Sequence, residues 1–164
     1  MQPNMKRNSM DKEEIDALFE RLDVGSISTI GVDGYPYSAP VNFVYMDGQV
    51  YIHGRNAGEK VGNLRKNPKV SFTAWERIGY EDTGSAACDT TTVYESVLIK
   101  GDVEFVEDPT VKSKMLNAMV KKLVPDKTDM EDAKILPTVV YKINAKSITG
   151  KYHRPLAGNN VRKR

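Results

Sequence analysis

The sequence has little cysteine, little histidine and little net charge, and each shortage narrows what the chain can be. Its 164 residues include one cysteine, Cys88, and two histidines, His53 and His153. A single cysteine excludes an intrachain disulfide and is typical of a reducing, cytoplasmic setting. These three side chains are too few for an ordinary closed zinc site. A formal net charge of +2 is too small to indicate nucleic-acid binding by itself.

Long apolar runs are also missing. No run approaches the length of a membrane span, and the start, MQPNMKRNSMDKEE, lacks the apolar segment of a secretory signal. A hydrophobic fraction of 40% and a charged fraction of 28% are typical of soluble globular chains. We therefore expect one domain over residues 1–151, no membrane association, a disordered start at residues 1–9, and a basic, loosely ordered tail at residues 152–164.

The first half of the chain has the pattern of a helix followed by three strands. Asp11 and Glu14 form the sequence signature of a capping box ahead of an amphipathic helix. Alternating segments at 26–32, 35–46 and 49–54 are then separated by Asp-Gly pairs at 33–34 and 47–48. Each pair predicts a type I′ hairpin turn. Pro36 and Pro40 interrupt the second strand and predict an edge, a bulge or a ligand-facing irregularity.

The second half predicts three more strands and one longer helix. Strands are expected at 69–80, at 94–108 with a bend at Gly101, and at 137–150. Asp108-Pro109 predicts the start of a helix that Pro125 ends. Six short antiparallel strands with few helices favour a small barrel, because closure removes exposed sheet edges. Local pattern alone does not separate a barrel from a sandwich.

Residues 49–72, QVYIHGRNAGEKVGNLRKNPKVSF, predict a strand, a turn, a short helix and another strand. Asn56 and Glu59 have capping-box spacing, and the helix should end near Lys66 because Pro68 follows. His53, Arg55 and Lys60 would then surround free backbone N–H groups at the helix start. That arrangement is typical of an anion site, although an ordinary capped surface helix explains the same residues.

Four segments together resemble a known family. They are DGYPYSAPVNFVYMDGQVYIHG (33–54), GEKVGNLRKNPKVSF (58–72), YESVLIKG (94–101) and SITGK (147–151). Their order resembles the flavin-binding split-barrel proteins related to pyridoxamine 5′-phosphate oxidase, and within them the nitroimidazole-resistance (Nim-type) branch. The resemblance covers about residues 11–151. It implies a mainly β fold with peripheral helices, a six-stranded antiparallel split β-barrel that forms a homodimer with one FMN in each of two interface clefts.

The resemblance also implies roles for residues around the short helix. Lys60 takes the position of a phosphate-binding lysine, and Arg55 and Asn56 are expected to contact the phosphate or the ribityl chain. His53 matches a strand-end histidine beside the flavin and the substrate, which makes it the candidate catalytic residue.

Further cofactor contacts are implied on three strands. The backbone edge of the second strand is expected to face the isoalloxazine ring, the strand at 94–97 is expected to close the cleft, and Lys151 follows the family's usual Thr-Gly pair. The residues concerned are Pro40, Val41, Asn42, Tyr94, Ser96, Val97 and Lys151.

The implied function is an FMN-dependent oxidoreductase that reduces a small planar acceptor, such as a nitroaromatic compound, with electrons from NAD(P)H. The loop 81–91 is short and polar and carries Cys88, so the substrate side is expected to differ from that of relatives. The oxidase's substrate-binding C-terminus is not recognisable, which argues against vitamin B6 oxidation. A non-catalytic flavin or haem carrier or sensor on the same barrel remains an alternative. A weaker alternative is nucleic-acid binding through the basic tail.

Overall fold

The computed structural model describes residues 8–127 and 129–163. The strands are β1 (Ser9–Met10), β2 (Val24–Ile30), β3 (Pro36–Met46), β4 (Gln49–Gly54), β5 (Lys69–Asp82), β6 (Thr90–Phe105), β7 (Val139–His153) and β8 (Asn160–Arg162). The helices are α1 (Lys12–Arg21), α2 (Glu59–Lys66), α3 (Pro109–Leu123) and α4 (Asp132–Ile135), and a 3₁₀ turn covers Ala87–Asp89. None of these helices is long and apolar enough to cross a membrane.

Six strands close into an antiparallel barrel in the order β7-β4-β3-β2-β5-β6, with β6 pairing back to β7. The predicted six-stranded split barrel is confirmed, and the sandwich is excluded. Alternate side chains of the strands fill the interior, where Phe43, Phe72 and Tyr141 are fully buried. Helix α1 covers this core with Phe19, whose ring meets Phe43 edge-on at 5.8 Å. The predicted Asp11–Glu14 capping box is present at its start.

The two Asp-Gly turns differ. Asp47 and Gly48 have φ of 53° and 75°, which confirms the predicted type I′ turn. Gly34 has φ of 85°, but Asp33 does not share the positive φ, so the type I′ prediction is wrong there. The Asp33 carboxylate accepts the Tyr35 N–H at 3.1 Å, and this side-chain turn replaces the predicted geometry.

The predicted bend in β6 corresponds to a register shift between Lys100 and Gly101 opposite β7. A Cβ at position 101 would lie 2.4 Å from the Asn144 carbonyl oxygen. Only glycine therefore lets the two backbones approach this closely.

The described residues near the two ends of the chain are more ordered than the sequence suggested. The predicted disorder at residues 1–9 lies outside the described residues for 1–7, whereas Ser9 pairs with Lys151 in β7. The expected loose tail is wrong at residues 152–162. Strand β7 extends to His153, and β8 pairs with Tyr80–Asp82 of β5.

A buried carboxylate explains why this tail is held. Glu81 is 2% exposed and accepts hydrogen bonds from His153 Nε2, the Leu156 N–H and Asn159 Nδ2. A buried carboxylate needs such partners, because an unpaired one is costly. We refer to Glu81 and the segment 153–159 as the tail latch.

Candidate functional site

The barrel splits where β3 and β4 part. Their pairing ends at Phe43 opposite Ile52, so the next residues on the diverging strands are Asn42 and His53. Beyond this point β3 pairs only with β2, from Pro36 to Asn42. The opposite edge of this part of β3 has no strand partner among the described residues. We call the opening between this edge and the chain from His53 to Lys60 the cleft.

The direction of the backbone groups on this edge can be derived from two hydrogen bonds. The Phe43 N–H donates to Asp23 on the β2 side, and Tyr35 accepts the Gly31 N–H on the same side. Because backbone groups alternate along a strand, the even-numbered residues 36, 38, 40 and 42 turn their N and O atoms to the cleft. The prolines at 36 and 40 have no N–H. Ser38 and Asn42 therefore supply the edge's backbone donors.

Helix α2 starts differently from the prediction. The N-cap is Gly58, with φ of 113° and no side-chain cap, so the predicted Asn56–Glu59 capping box is wrong. The Asn56 amide oxygen instead accepts a hydrogen bond from the Arg65 guanidinium. The first α2 bond runs from Gly62 N–H to Gly58 O at 3.0 Å. The N–H groups of residues 59–61 thus have no acceptor in the described part of the chain, and they lie at the positive end of the helix dipole.

Two titratable groups border these free donors. Lys60 is half-buried in the first turn of α2, and desolvation lowers the pKa of its ammonium. No ion pair neutralises it within residues 8–127 and 129–163. His53 lies exposed at the end of β4, and partial desolvation together with the nearby charge of Lys60 lowers the pKa of its imidazole. The site is therefore electropositive, with a neutral imidazole beside an ammonium group.

A buried polar contact that the sequence pattern does not predict fixes α2 against the barrel. Asn63 is 3% exposed, and its amide donates to Thr29 Oγ1 at 3.1 Å. Thr29 in turn faces the Tyr37 carbonyl oxygen at 3.4 Å. The only signal in the sequence is a polar residue between Val61 and Leu64, on the buried side of the helix. This contact sets the position of the free N–H groups relative to β3.

The structure separates the predicted site residues into two groups. Pro40, Val41, Asn42, His53, Arg55, Asn56 and Lys60 border the cleft or the turn before α2. The second group lies on β6 and β7, where Ser96 pairs with Lys151, Val97 with Gly150 and Tyr94 with His153. His53 pairs with Val140 of β7, and the distance from there to Lys151 along the strand is roughly 35 Å at the usual rise per residue. Within the chain, no residue of one group is paired with a residue of the other.

Two of the predicted residues have buried side chains. Val41 and Val97 are 8% and 1% exposed and belong to the barrel core. Their backbones are paired as well, Val41 with Gly25 and Val97 with both Ala74 and Gly150, so neither residue offers a free polar group to a ligand.

The second group borders an exposed apolar surface on the outside of the barrel. We call Val24, Trp75 and Leu98 the outer patch; they are 49%, 56% and 38% exposed. Trp75 pairs with Ser96, and Leu98 pairs with Thr73 and Thr149, so these side chains share one face of the sheet. Exposed apolar surface of this kind marks interaction sites.

Comparison with known proteins supports the geometry. The family model described as pyridoxamine 5′-phosphate oxidase matches residues 11–152. A crystal structure of a candidate 5-nitroimidazole antibiotic resistance protein from Bacteroides thetaiotaomicron is 26% identical and superposes with a TM-score of 0.75, covering 87% of this chain and 85% of that one. A conserved hypothetical protein from Mycobacterium tuberculosis is 25% identical with a TM-score of 0.73, over 90% and 88% of the two chains.

A more distant structure shares the fold. The flavocytochrome Anf3 from Azotobacter vinelandii is 20% identical and has a TM-score of 0.80, over 94% of this chain and 72% of that chain. The comparison with curated proteins finds no match.

Proposed function

The chain belongs to the pyridoxamine 5′-phosphate oxidase family, and on this basis we propose that it is an FMN-dependent oxidoreductase that reduces a small planar acceptor with electrons from NAD(P)H. The family binds flavins. The observation that carries the proposal is the cleft itself, where, among the described residues, the β3 edge has no strand partner and the start of α2 has N–H groups without acceptors and a lysine without an ion pair. The nitroimidazole-resistance protein among the similar structures makes nitroaromatic compounds the first acceptors to test.

The residues present fit the two ends of FMN. A phosphate is favoured at the start of α2, because free N–H groups, the helix dipole and the Lys60 ammonium all act on it. Arg55 and Asn56 lie on the same turn and are the remaining candidates for phosphate or ribityl contacts. The β3 edge offers the N–H groups of Ser38 and Asn42 to the ring system. We assign the phosphate to α2 and the isoalloxazine ring to the β3 edge.

His53 is the residue that we assign to the reacting end of the cleft. When bound, the flavin supplies the electron-transfer chemistry. The lowered pKa of His53 keeps its imidazole neutral at pH 7, so that one ring nitrogen donates a hydrogen bond and the other accepts one. A neutral imidazole next to Asn42 can orient a polar acceptor by hydrogen bonding, and an imidazole that has first taken up a proton from solvent can donate it to the reduced acceptor.

A homodimer would reunite the two groups of site residues. Tyr94, Ser96 and Lys151 pair with no residue of the cleft of their own chain, and they border the outer patch. We propose that the outer patch packs against a second copy, so that these residues complete the partner's cleft. A Trp75→Asp variant should then be monomeric in light scattering and should lose its flavin. Tyr35→Asp, which changes an exposed aromatic residue in the β2–β3 turn, should do neither. A dimer unaffected by Trp75→Asp would contradict this assignment.

The proposed function is tested by the visible spectrum of the purified protein. A yellow protein that releases FMN on denaturation is expected, and anaerobic addition of NADH or NADPH should bleach the flavin band. A nitroaromatic acceptor should then restore the band over repeated cycles. Colourless protein that takes up no flavin would refute the proposal. Flavin that is bound but never reduced would favour the carrier or sensor, and a haem spectrum would identify that branch.

Two further points concern the location of the protein and the role of its tail. A cytoplasmic location is proposed on the single cysteine alone. Nucleic-acid binding through the tail loses support because two of its arginines already have carboxylate partners. Arg154 contacts Glu14 and Glu95, and Arg162 contacts Asp82.

A further inference from the structure

A second cavity is separate from the cleft, and we call it the side cavity. It encloses about 390 Å³, a volume in the range of small-molecule sites. Its walls come from α2, the end of β6, the start of α3 and the chain that enters β7. His53, Lys60 and the β3 edge are not among its described lining residues. The residues that carry its chemistry are Arg65, Phe105, Glu107, Lys112 and Leu136.

The Arg65 guanidinium is held in a defined orientation on the wall of the side cavity. It donates a hydrogen bond to the Asn56 amide oxygen and lies 5.9 Å from the centroid of the Phe105 ring. Tyr141 packs edge-on against that ring at 6.0 Å, which holds the ring in place. A guanidinium carries five N–H donors, so Arg65 keeps donors for a ligand. Their planar arrangement matches the two oxygens of a carboxylate.

The charge of the lining suits a ligand with one negative group. Arg65 and the half-buried Lys112 are cations without an ion pair in the part of the chain that the structure describes. Glu107 is the one carboxylate among the described lining residues. Two cations and one carboxylate leave an excess of one positive charge, which a single carboxylate of the ligand neutralises. A phosphate dianion would exceed it and would be repelled by Glu107.

The rest of the side cavity offers apolar surface. Leu136, Pro137 and Val139 belong to its lining, and Leu136 is 60% exposed. Covering such a side chain removes apolar area from water and is favourable. An inorganic anion cannot provide that cover, because it has no hydrocarbon part. The lining therefore favours an anion that carries an apolar body.

We propose that the side cavity binds a small organic acid with a compact apolar body, of the class of the aromatic carboxylic acids. Its carboxylate is held by Arg65 and Lys112, and its body packs against Leu136 and Val139. This site needs no contact with a flavin, so it goes beyond the function proposed above and does not depend on it.

The probe that tests the proposal is benzoate, titrated into the full chain as purified and followed by ¹H–¹⁵N NMR. Amide shifts are expected at residues 65, 112 and 138–140, with a dissociation constant of about 1 mM, since so small a ligand buries little surface. Benzamide has the same ring without the charge, and inorganic phosphate has charge without the ring. Each should bind at least about tenfold more weakly than benzoate, because one lacks the charge-assisted bonds and the other the apolar contact.

Two pairs of variants locate the two parts of the ligand. Lys112→Gln should weaken benzoate binding about five- to tenfold, whereas Lys121→Gln, the same change at an exposed position of α3 outside the cavity, should not. Leu136→Asn should weaken it severalfold through the lost apolar contact. Leu156→Asn changes a leucine that is 70% exposed and lies outside the cavity, and it should leave the affinity unchanged.

Four outcomes would overturn the proposal. They are benzamide or phosphate binding as tightly as benzoate, wild-type affinity in Lys112→Gln, no shifts at residues 65 and 138–140, and shifts confined to residues 53–60, which would place benzoate in the cleft. The comparison of the three ligands needs no variant, so it holds even where a variant fails to fold. The proposed flavin chemistry is tested separately by the visible spectrum and is untouched by each of these results.

Discussion

Removing the Lys60 ammonium is the sharpest perturbation of the proposed phosphate site. Lys60 is half-buried, its pKa is lowered by desolvation, and no carboxylate pairs with it in the described residues. Its charge is therefore less screened than that of an exposed lysine. A charge-assisted hydrogen bond contributes about 1.5–3 kcal/mol. Lys60→Ala should thus raise the dissociation constant for FMN roughly 10- to 100-fold at 25 °C.

Riboflavin makes the measurement specific, since it carries the same ring and ribityl chain without the phosphate. FMN and riboflavin fluorescence titrations should show that Lys60→Ala weakens FMN binding and leaves riboflavin binding within about twofold, because a lost phosphate contact cannot affect a ligand that lacks one. Lys66→Ala is the matched control. Lys66 is exposed in the last turn of the same helix, so both flavins should bind that variant normally.

Two outcomes would refute the reasoning. Unchanged FMN affinity in Lys60→Ala would remove Lys60 from the phosphate site. Equal loss of FMN and riboflavin would mean that Lys60 supports the cleft structure and not the phosphate. Thermal unfolding of both variants should be measured alongside, because an unfolded variant binds neither ligand.

Three further predictions concern a titration, the tail latch and the β6 bend. The His53 pKa, followed by NMR, should lie below 6.5 and should rise in Lys60→Ala, because the second cause of its shift is the Lys60 charge; no rise would mean that the two groups are not neighbours. Glu81→Gln should increase hydrogen exchange at residues 156–162 severalfold, whereas Glu20→Gln, at an exposed carboxylate, should not. Because its partners lower the Glu81 pKa, the latch should be intact above the unfolded pKa near 4.5 and weaken as pH falls through the lower folded value. Protection factors at residues 156–162 that are equal at neutral and acid pH would contradict this. Gly101→Ala should cost about 1–3 kcal/mol of unfolding free energy through its clash with the Asn144 carbonyl, whereas Gly62→Ala, whose methyl meets nothing within 4 Å, should be neutral or stabilising; equal denaturation midpoints would refute the clash.

Local sequence patterns predicted most of the strands and turns of the barrel. Asp47-Gly48 predicted its turn because a type I′ turn needs positive φ at both centres, and both residues adopt it. Pro36 and Pro40 predicted an edge, and β3 indeed has no β4 partner at either position. The closure of the barrel could not be predicted in the same way. It depends on pairs such as Val97 with Gly150, and no local pattern specifies which distant strands meet.

The missed features are also long-range. Asn56 and Glu59 have the spacing of a capping box, but the Asn56 amide binds Arg65 on the next turns of the helix. Leu156 and Asn159 read as a loose tail because their partner, Glu81, lies far away in the sequence. In both cases a tertiary partner outcompetes the local interaction that residue type favours. The sequence contains the groups involved but not their pairing.

The prolines of β3 determine which backbone groups its unpaired edge can offer to another chain or to a ligand. An unpaired strand edge is a template for pairing with another chain. At this edge residues 36 and 40 cannot donate, so a foreign strand would find only the Ser38 and Asn42 donors. The edge is thereby a poor partner for a strand and still keeps an N–H beside His53 for a ligand. The missing N–H groups of Pro36 and Pro40 fall on the unpaired side and cost no ladder hydrogen bond, which explains why proline is tolerated inside an eleven-residue strand.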